Sequence, residues 1–290
     1  MTDDAAQTEA AGNGHPAATA ETAAPPAAEK GITLPYDLPS RGVFYGEKLP
    51  NGTVTMFPIR GEQEELLAGA GDGVEATPVF RSVVAQLSDL KGLAYEDLLL
   101  SDWVALLLNL LAFSYTPIVR LRPRCTYCHK FFPKHVNIEE MPCTVVKDEE
   151  RDKWASAFKT DPLPFSKAVV EWKLLTLSDM IRAEEWAEQQ QSTQMTPGSP
   201  LHTYTIARHI KTINGKETKI LHAIDWVRQA YGRDLRALSE EFRKWETGYD
   251  LTPKFRCPHC GGTFRQKLPL DGSFFRAVRS GPGESPSPEV

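Results

Sequence analysis

Two short stretches, Arg124-Cys125-Thr126-Tyr127-Cys128 and Arg256-Cys257-Pro258-His259-Cys260, decide how this chain folds. Each is a C-x-x-C knuckle, and about 130 residues separate them. Four thiolates in two such pairs are the ligand set of a structural zinc site. The two intervening residues let one tight turn present both sulfurs to a single ion while its backbone N–H groups point at them. Cys125, Cys128, Cys257 and Cys260 are therefore the expected ligands of one structural Zn2+.

The flanks repeat as the knuckles do. Four residues past the second cysteine stands a phenylalanine in both copies, Phe132 and Phe264. Further along come Val136 and Ile138 in the first, Leu268 and Leu270 in the second. All these offsets are even, so on an extended strand the three residues share one face. Each knuckle is thus expected to lead into a half-buried strand. The halves, residues 117–138 and 252–270, then face one another across the metal as a zinc ribbon built from distant pieces of chain. The expected fold is α+β and mainly helical, a helical body clipped by a discontinuous four-cysteine ribbon with short antiparallel strands.

Other readings of the cysteines fit less well. A thioredoxin-type dithiol opens a helix after a parallel strand, and neither knuckle has that context. Two separate disulfides or four idle thiols would leave the repeated flanks without a reason. Cys143 follows Pro142, has no partner motif, and reads as a plain small apolar residue.

Working outward, residues 31–279 read as one zinc-stapled domain, with a helical insertion at 147–250 between the ribbon halves. Residues 1–30 are rich in Ala, Thr, Gly and Pro and poor in large apolar groups, so they read as a disordered tail, as do residues 280–290. Asn51-Gly52 ahead of Thr53–Ile59 signals a small β element. A turn is expected at Asp72-Gly73. Thr77-Pro78 opens a helix with Phe80, Val83, Val84 and Leu87 at helical spacing and Gly92 placed to end it, and Ser101-Asp102 starts another, apolar on most faces, that runs to Tyr115. Strands are expected over 167–175 and 263–270, and helices over 178–191 with Ser178 as N-cap, over 204–213, over 220–231, and from Asp234 as cap to Trp245. Residues 189–200 read as a polar linker.

The formal net charge is −5, so no global attraction to nucleic acid or acidic membranes is expected. No secretory signal pattern stands at the N-terminus. The longest apolar run, 98–113, contains Asp102 and Asn109 and is too short to cross a bilayer comfortably. No phosphate-binding, dinucleotide, nucleophile-elbow or zinc-protease motif occurs. His129, His135 and His259 lie near the knuckles, but four thiolates already complete a tetrahedron and leave no open position for water. The ribbon halves contain nine Lys and Arg residues and no acidic one. That surplus would suit nucleic acid. The sequence, however, does not interleave exposed aromatics with the basic residues as single-strand binders do. Docking on an acidic protein surface, or on the chain's own acidic helices, is an equally physical reading, and a zinc-ribbon nucleic-acid-binding protein is the alternative function.

One further pattern lies in the order of features. It runs Leu38-Pro39-Ser40-Arg41-Gly42, Glu64-Glu65-Leu66, Asp97-Leu98-Leu99-Leu100-Ser101-Asp102, Ser114-Tyr115, the two cysteine knuckles, Leu268-Pro269-Leu270 and Phe274-Phe275. Together these resemble the T4-type baseplate hub assembly proteins of contractile-tailed bacteriophages and phage-like injection systems, over roughly residues 34–276. Thr116 stands where relatives tend to have glycine, and residues 147–165 fall outside the pattern. The resemblance implies a non-enzymatic role in building a hub or baseplate, as an assembly chaperone or a structural subunit. It implies cytoplasmic assembly, with hub or tail-tube initiator proteins, or further copies of this chain, as partners.

Overall fold

The structure, a computed structural model, describes residues 32–69, 77–156, 158–193, 200–268 and 270. Both expected tails, the Asp72-Gly73 turn, residues 194–199 of the polar linker and Phe274-Phe275 lie outside these residues.

Alternation at the start of the described chain produces strands. β1 (Leu34–Asp37) pairs antiparallel with β2 (Thr53–Met56), which turns Val54 and Met56 inward. Two short helices follow, α1 (Gly61–Gly69) and α2 (Thr77–Gln86), and then β3 (Ser88–Asp89) completes the sheet in the order β1-β2-β3. Against them lies α3 (Leu100–Ser114), buried on nearly every side. Fully burying each of its leucines contributes about 1.5–3 kcal/mol, so α3 is the centre of the first hydrophobic core. Its half-buried Asn109 donates to the Ala105 carbonyl and to the Tyr249 hydroxyl at 2.8 and 3.0 Å.

Asp102 does not cap α3. The helix opens at Leu100 with no side-chain cap, and Asp102 instead turns into the protein, fully buried. Its carboxylate accepts from the Ser40 amide at 3.0 Å, the Ser40 hydroxyl at 2.5 Å and the Tyr45 hydroxyl at 2.6 Å. The Tyr45 oxygen in turn accepts the Leu99 amide at 2.9 Å. Burial pushes the Asp102 carboxyl up, against the pull of these donors. The loop so anchored is tight. Arg41 and Gly42 both take positive φ, and a Cβ on Gly42 would lie 2.1 Å from the Leu49 carbonyl oxygen.

After α3 come β4 (Ile118–Leu121) and β5 (Lys134–Asn137), paired antiparallel around the first knuckle. β6 (Cys143–Thr144) leads into a region with its own hydrophobic core. That region holds α4 (Arg151–Ala155), β7 (Phe158–Lys159), β8 (Val170–Trp172), α5 (Leu177–Thr193), α6 (Pro200–His209), β9 (Ile210–Ile213), β10 (Lys216–Glu217), α7 (Ile220–Gln229) and α8 (Gly232–Lys244). β11 (Gly248–Tyr249) closes it by pairing with β6, so the chain enters and leaves at one place. β12 (Lys254–Arg256) and β13 (Thr263–Arg265) then form the hairpin around the second knuckle. The architecture is mixed α/β. Among the described residues no helix is long and apolar enough to cross a membrane.

The inserted region differs from the helical expectation because it contains a four-stranded sheet in the order β10-β9-β8-β7. The 204–213 stretch is split rather than one helix. Asn214 and Gly215 both take positive φ and fold β9 back onto β10, while β8 pairs along its other edge. Inter-strand bonds thus replace the helical ones that the isoleucine spacing suggested. The expected 167–175 strand shrinks to β8 because Lys167 sits in a positive-φ turn. The expected 263–270 strand likewise ends at Arg265. Cys143, read as a small apolar residue, is exposed on β6 opposite Tyr249.

Two expected caps belong elsewhere. Thr176, not Ser178, starts α5: its hydroxyl accepts the Asp179 amide at 3.3 Å, and the Asp179 carboxylate accepts the Thr176 amide at 3.2 Å, a reciprocal capping box. Asp234 lies inside α8, buried, and accepts the amides of Phe165 and Ser166 at 2.8 and 2.9 Å, fixing the turn before β8.

Asp179 also pairs with Lys173 at 2.5 Å and with Arg208. Burial opposes its charge, but the Lys173 hydrogen bond and the two cations outweigh it and hold the carboxyl below its ordinary 3.8. A depressed carboxylate stabilises the fold above its unfolded pKa, and that contribution is lost as pH falls through the folded value. Asp179→Asn is therefore expected to lower the urea midpoint at neutral pH. Its deficit relative to the parent should shrink steadily below pH 3.8. A deficit that stays constant with pH would refute the assignment.

Candidate metal centre

The two knuckles are copies of one local structure. In the first, the Cys125 amide donates to the Lys130 carbonyl and the His129 amide to the Cys125 carbonyl, both at 3.0 Å. In the second, Cys257 donates to Gly262 and Gly261 to Cys257, both at 2.9 Å. The residue after the second cysteine takes positive φ in each, His129 at 58° and Gly261 at 72°. Arg124 bridges Phe131 just as Arg256 pairs with Thr263. Each turn therefore closes its own backbone bonds, and the sulfurs are left free to point at a common centre.

Beneath the knuckles the repeated phenylalanines meet. The Phe132 and Phe264 rings pack edge to face with centroids 6.2 Å apart, and Phe255 lies 5.8 Å from Phe264. Val119, Phe132, Val136, Phe255 and Phe264 are all buried in the same core as α3. Of the even-offset residues, Phe132, Val136, Ile138, Phe264 and Leu268 are buried and Leu270 is half-buried. Only Val136 and Phe264 lie on the paired strands, so the shared face comes from packing beyond the strand ends as well.

All four predicted ligands come together. The sulfurs of Cys125, Cys128, Cys257 and Cys260 lie within 4.8 Å of one another. Across the two knuckles, Cys125 Sγ is 3.7 Å from Cys260 Sγ, and Cys128 Sγ is 3.6 Å from Cys257 Sγ. A disulfide needs about 2.05 Å, whereas a tetrahedral ion with bonds of about 2.3 Å holds its sulfurs about 3.8 Å apart. The spacing fits the ion and excludes the disulfide. These four residues can hold one metal ion, and no histidine joins the cluster among the described residues.

The electrostatics ask for a cation. Burial disfavours the Cys125 thiolate, yet backbone N–H groups of Cys128 and Tyr127 favour it, and its pKa is lowered to about 7. The Tyr127 amide is 3.4 Å from that sulfur. Cys260 moves the other way. The Gly262 amide favours its thiolate, but burial and the neighbouring thiols push it up to about 12. Four sulfurs this close cannot all ionise without a positive charge among them.

One contact between the knuckles was not visible in the sequence. The Tyr127 ring lies against Gly262, where an added Cβ would be 2.6 Å from the ring, and its hydroxyl donates to the Thr263 carbonyl at 3.3 Å. The second glycine of Gly261-Gly262 is the only local sign of that close approach.

No family model matches the chain, and neither a curated protein nor a solved structure matches it.

Proposed function

We infer that this chain is a non-enzymatic assembly protein for the hub or baseplate of a contractile phage tail or a phage-like injection system, acting through protein–protein contacts. In this reading a mainly helical α+β body, residues 31–279, is closed by a discontinuous ribbon around one structural Zn2+. Four soft thiolates at tetrahedral spacing suit zinc and fill its shell, which leaves no position for substrate or water.

The observation that carries the reading is that the motifs behind the family resemblance converge. Ser40 and Tyr45, in and beside the Leu38–Gly42 motif, bind Asp102 of the Leu98–Asp102 motif. Tyr115 donates to Glu64, and Ser114 accepts the Ile59 amide at 3.0 Å. Motifs scattered along the chain thus specify one joint around α3. This supports their being features of a single fold rather than chance matches.

The test is genetic and biochemical. In cells that assemble contractile tails, deleting the gene for this chain is expected to leave tails without a complete hub. Tagged chain should also retain hub or tube-initiator proteins through purification. Normal tail yield in the deletion strain would end this proposal.

A further inference from the structure

The outward face of the second knuckle hairpin is cationic. Antiparallel pairing puts Lys254 opposite Arg265 and Arg256 opposite Thr263, all exposed, while Phe255 and Phe264 face the core. Like charges directly across a ladder repel, so this arrangement carries a local cost. Asp250 relieves only Arg265, at 2.5 Å. Among the described residues, no ion pair engages Lys254, Arg256 or Lys267.

An aromatic ring stands beside these cations. Tyr127 is 65 % exposed, yet its contact with Gly262 and its bond to the Thr263 carbonyl hold it against the strand position opposite Arg256. The first hairpin repeats the theme at the corresponding positions. There the Arg124 guanidinium lies 5.9 Å from the centre of the Phe131 ring, which is 57 % exposed. The aromatic–basic interleaving missing from the sequence order is therefore created by folding.

We propose that this face, with Lys254, Arg256 and Arg265 on the phosphates and Tyr127 against a base, binds single-stranded nucleic acid. The chemistry favours that occupant over an acidic protein. Protein interfaces have apolar centres depleted of charge, and here the apolar side chains of β12 and β13 are consumed inward. Nucleic-acid interfaces are polar and strongly positive, and a rigid exposed ring offers unpaired bases a stacking platform. The proposal is independent of the hub reading.

Fluorescence anisotropy of the full-length, zinc-loaded chain with a labelled oligothymidylate of about 20 nucleotides tests it. Three phosphate contacts predict that log affinity falls with log salt at a slope of about −2. The double variant Lys254→Glu/Arg256→Glu is expected to weaken binding by about tenfold or more. Tyr127→Leu should weaken it by about fivefold or more through lost stacking. The same charge change on the insertion, Lys216→Glu/Lys219→Glu, should stay within about twofold of the parent. Metal content and thermal midpoint, measured in parallel, must remain at parental values for each variant. The proposal is overturned by absence of salt-dependent binding, by equal loss in both charge-swap variants, by tighter binding of the matching duplex, or by polyglutamate binding as tightly as the oligonucleotide.

Discussion

Cys257→Ser is expected to strip the chain of its metal and unfold both hairpins while the inserted region stays folded. Cys257 is buried, and its sulfur lies 3.6 Å from that of Cys128, so its loss opens the shell from within the core. Serine does not ionise near neutral pH and cannot replace a thiolate. Structural zinc contributes about 10–16 kcal/mol in small zinc domains, because binding and folding there are one process. Losing one of four ligands forfeits enough of this to melt β4–β5 and β12–β13, whose own core side chains, Val119, Val136, Phe255 and Phe264, do not hold the two hairpins together without the ion. The insertion differs. Its core runs from Val146 to Phe242, and few partly buried side chains, notably Phe44 and Leu174, pack against both cores.

The tryptophans separate these outcomes. Trp154, Trp172, Trp186, Trp226 and Trp245 belong to the insertion's core, and only Trp103 belongs to the other. In the variant, metal analysis should find less than about a tenth of an equivalent. Tryptophan fluorescence should retain a cooperative thermal transition close to the parental one. Chelation of the parent at high temperature should reproduce the result, and Cys143→Ser should bind metal normally. A Cys257→Ser protein with a full metal equivalent, or a Cys143→Ser protein without one, contradicts the ligand assignment.

Asp102→Ala is expected to destabilise the metal-loaded protein by about 4 kcal/mol, read by urea unfolding at neutral pH. The side chain is wholly buried, and its removal orphans the Ser40 amide, the Ser40 hydroxyl and the Tyr45 hydroxyl together. Each buried group left unsatisfied costs about 1–3 kcal/mol. The damage should spread along the loop. Arg151 of α4 donates to the carbonyls of Arg41 and Pro50 at 2.7 and 2.8 Å, so the same loop also ties down the insertion. Asp102→Asn keeps an acceptor but sets an NH2 group against a donor, and should cost about half as much. If the alanine variant lies within about 1 kcal/mol of the parent, the network is not what holds the loop to α3.

How much of this was legible beforehand depended on the range of each signal. Helices with strong apolar spacing, such as α3 and α7, stand close to where their residues put them, whereas α2 opens at Thr77 but stops at Gln86, short of Gly92, because Ser88–Asp89 pairs with β2. The caps were less legible. Ser178 and Asp234 are both good capping types, but Thr176 reaches the free amides of α5 first, and Asp234 is drawn away by the Phe165–Ser166 turn. The isoleucines of 204–213 satisfy a helical period, yet β8 offers the second half of that stretch a sheet edge. Periodicity reports which faces are apolar and is silent about a neighbouring strand that competes for the same backbone groups.

The sequence alone settled which four residues form the candidate centre, because C-x-x-C spacing is a local constraint and the matching flanks mark the two knuckles as a pair. It also placed Phe132 and Phe264 in the core by their common offset. Only the tertiary structure decided what Asp102 does, where Tyr127 lies, and that Lys254 and Arg265 face each other on one surface. Each of those depends on groups that meet across a ladder or from distant segments, and side-chain order along a chain carries no information about which backbone will be a hydrogen bond away once it has folded.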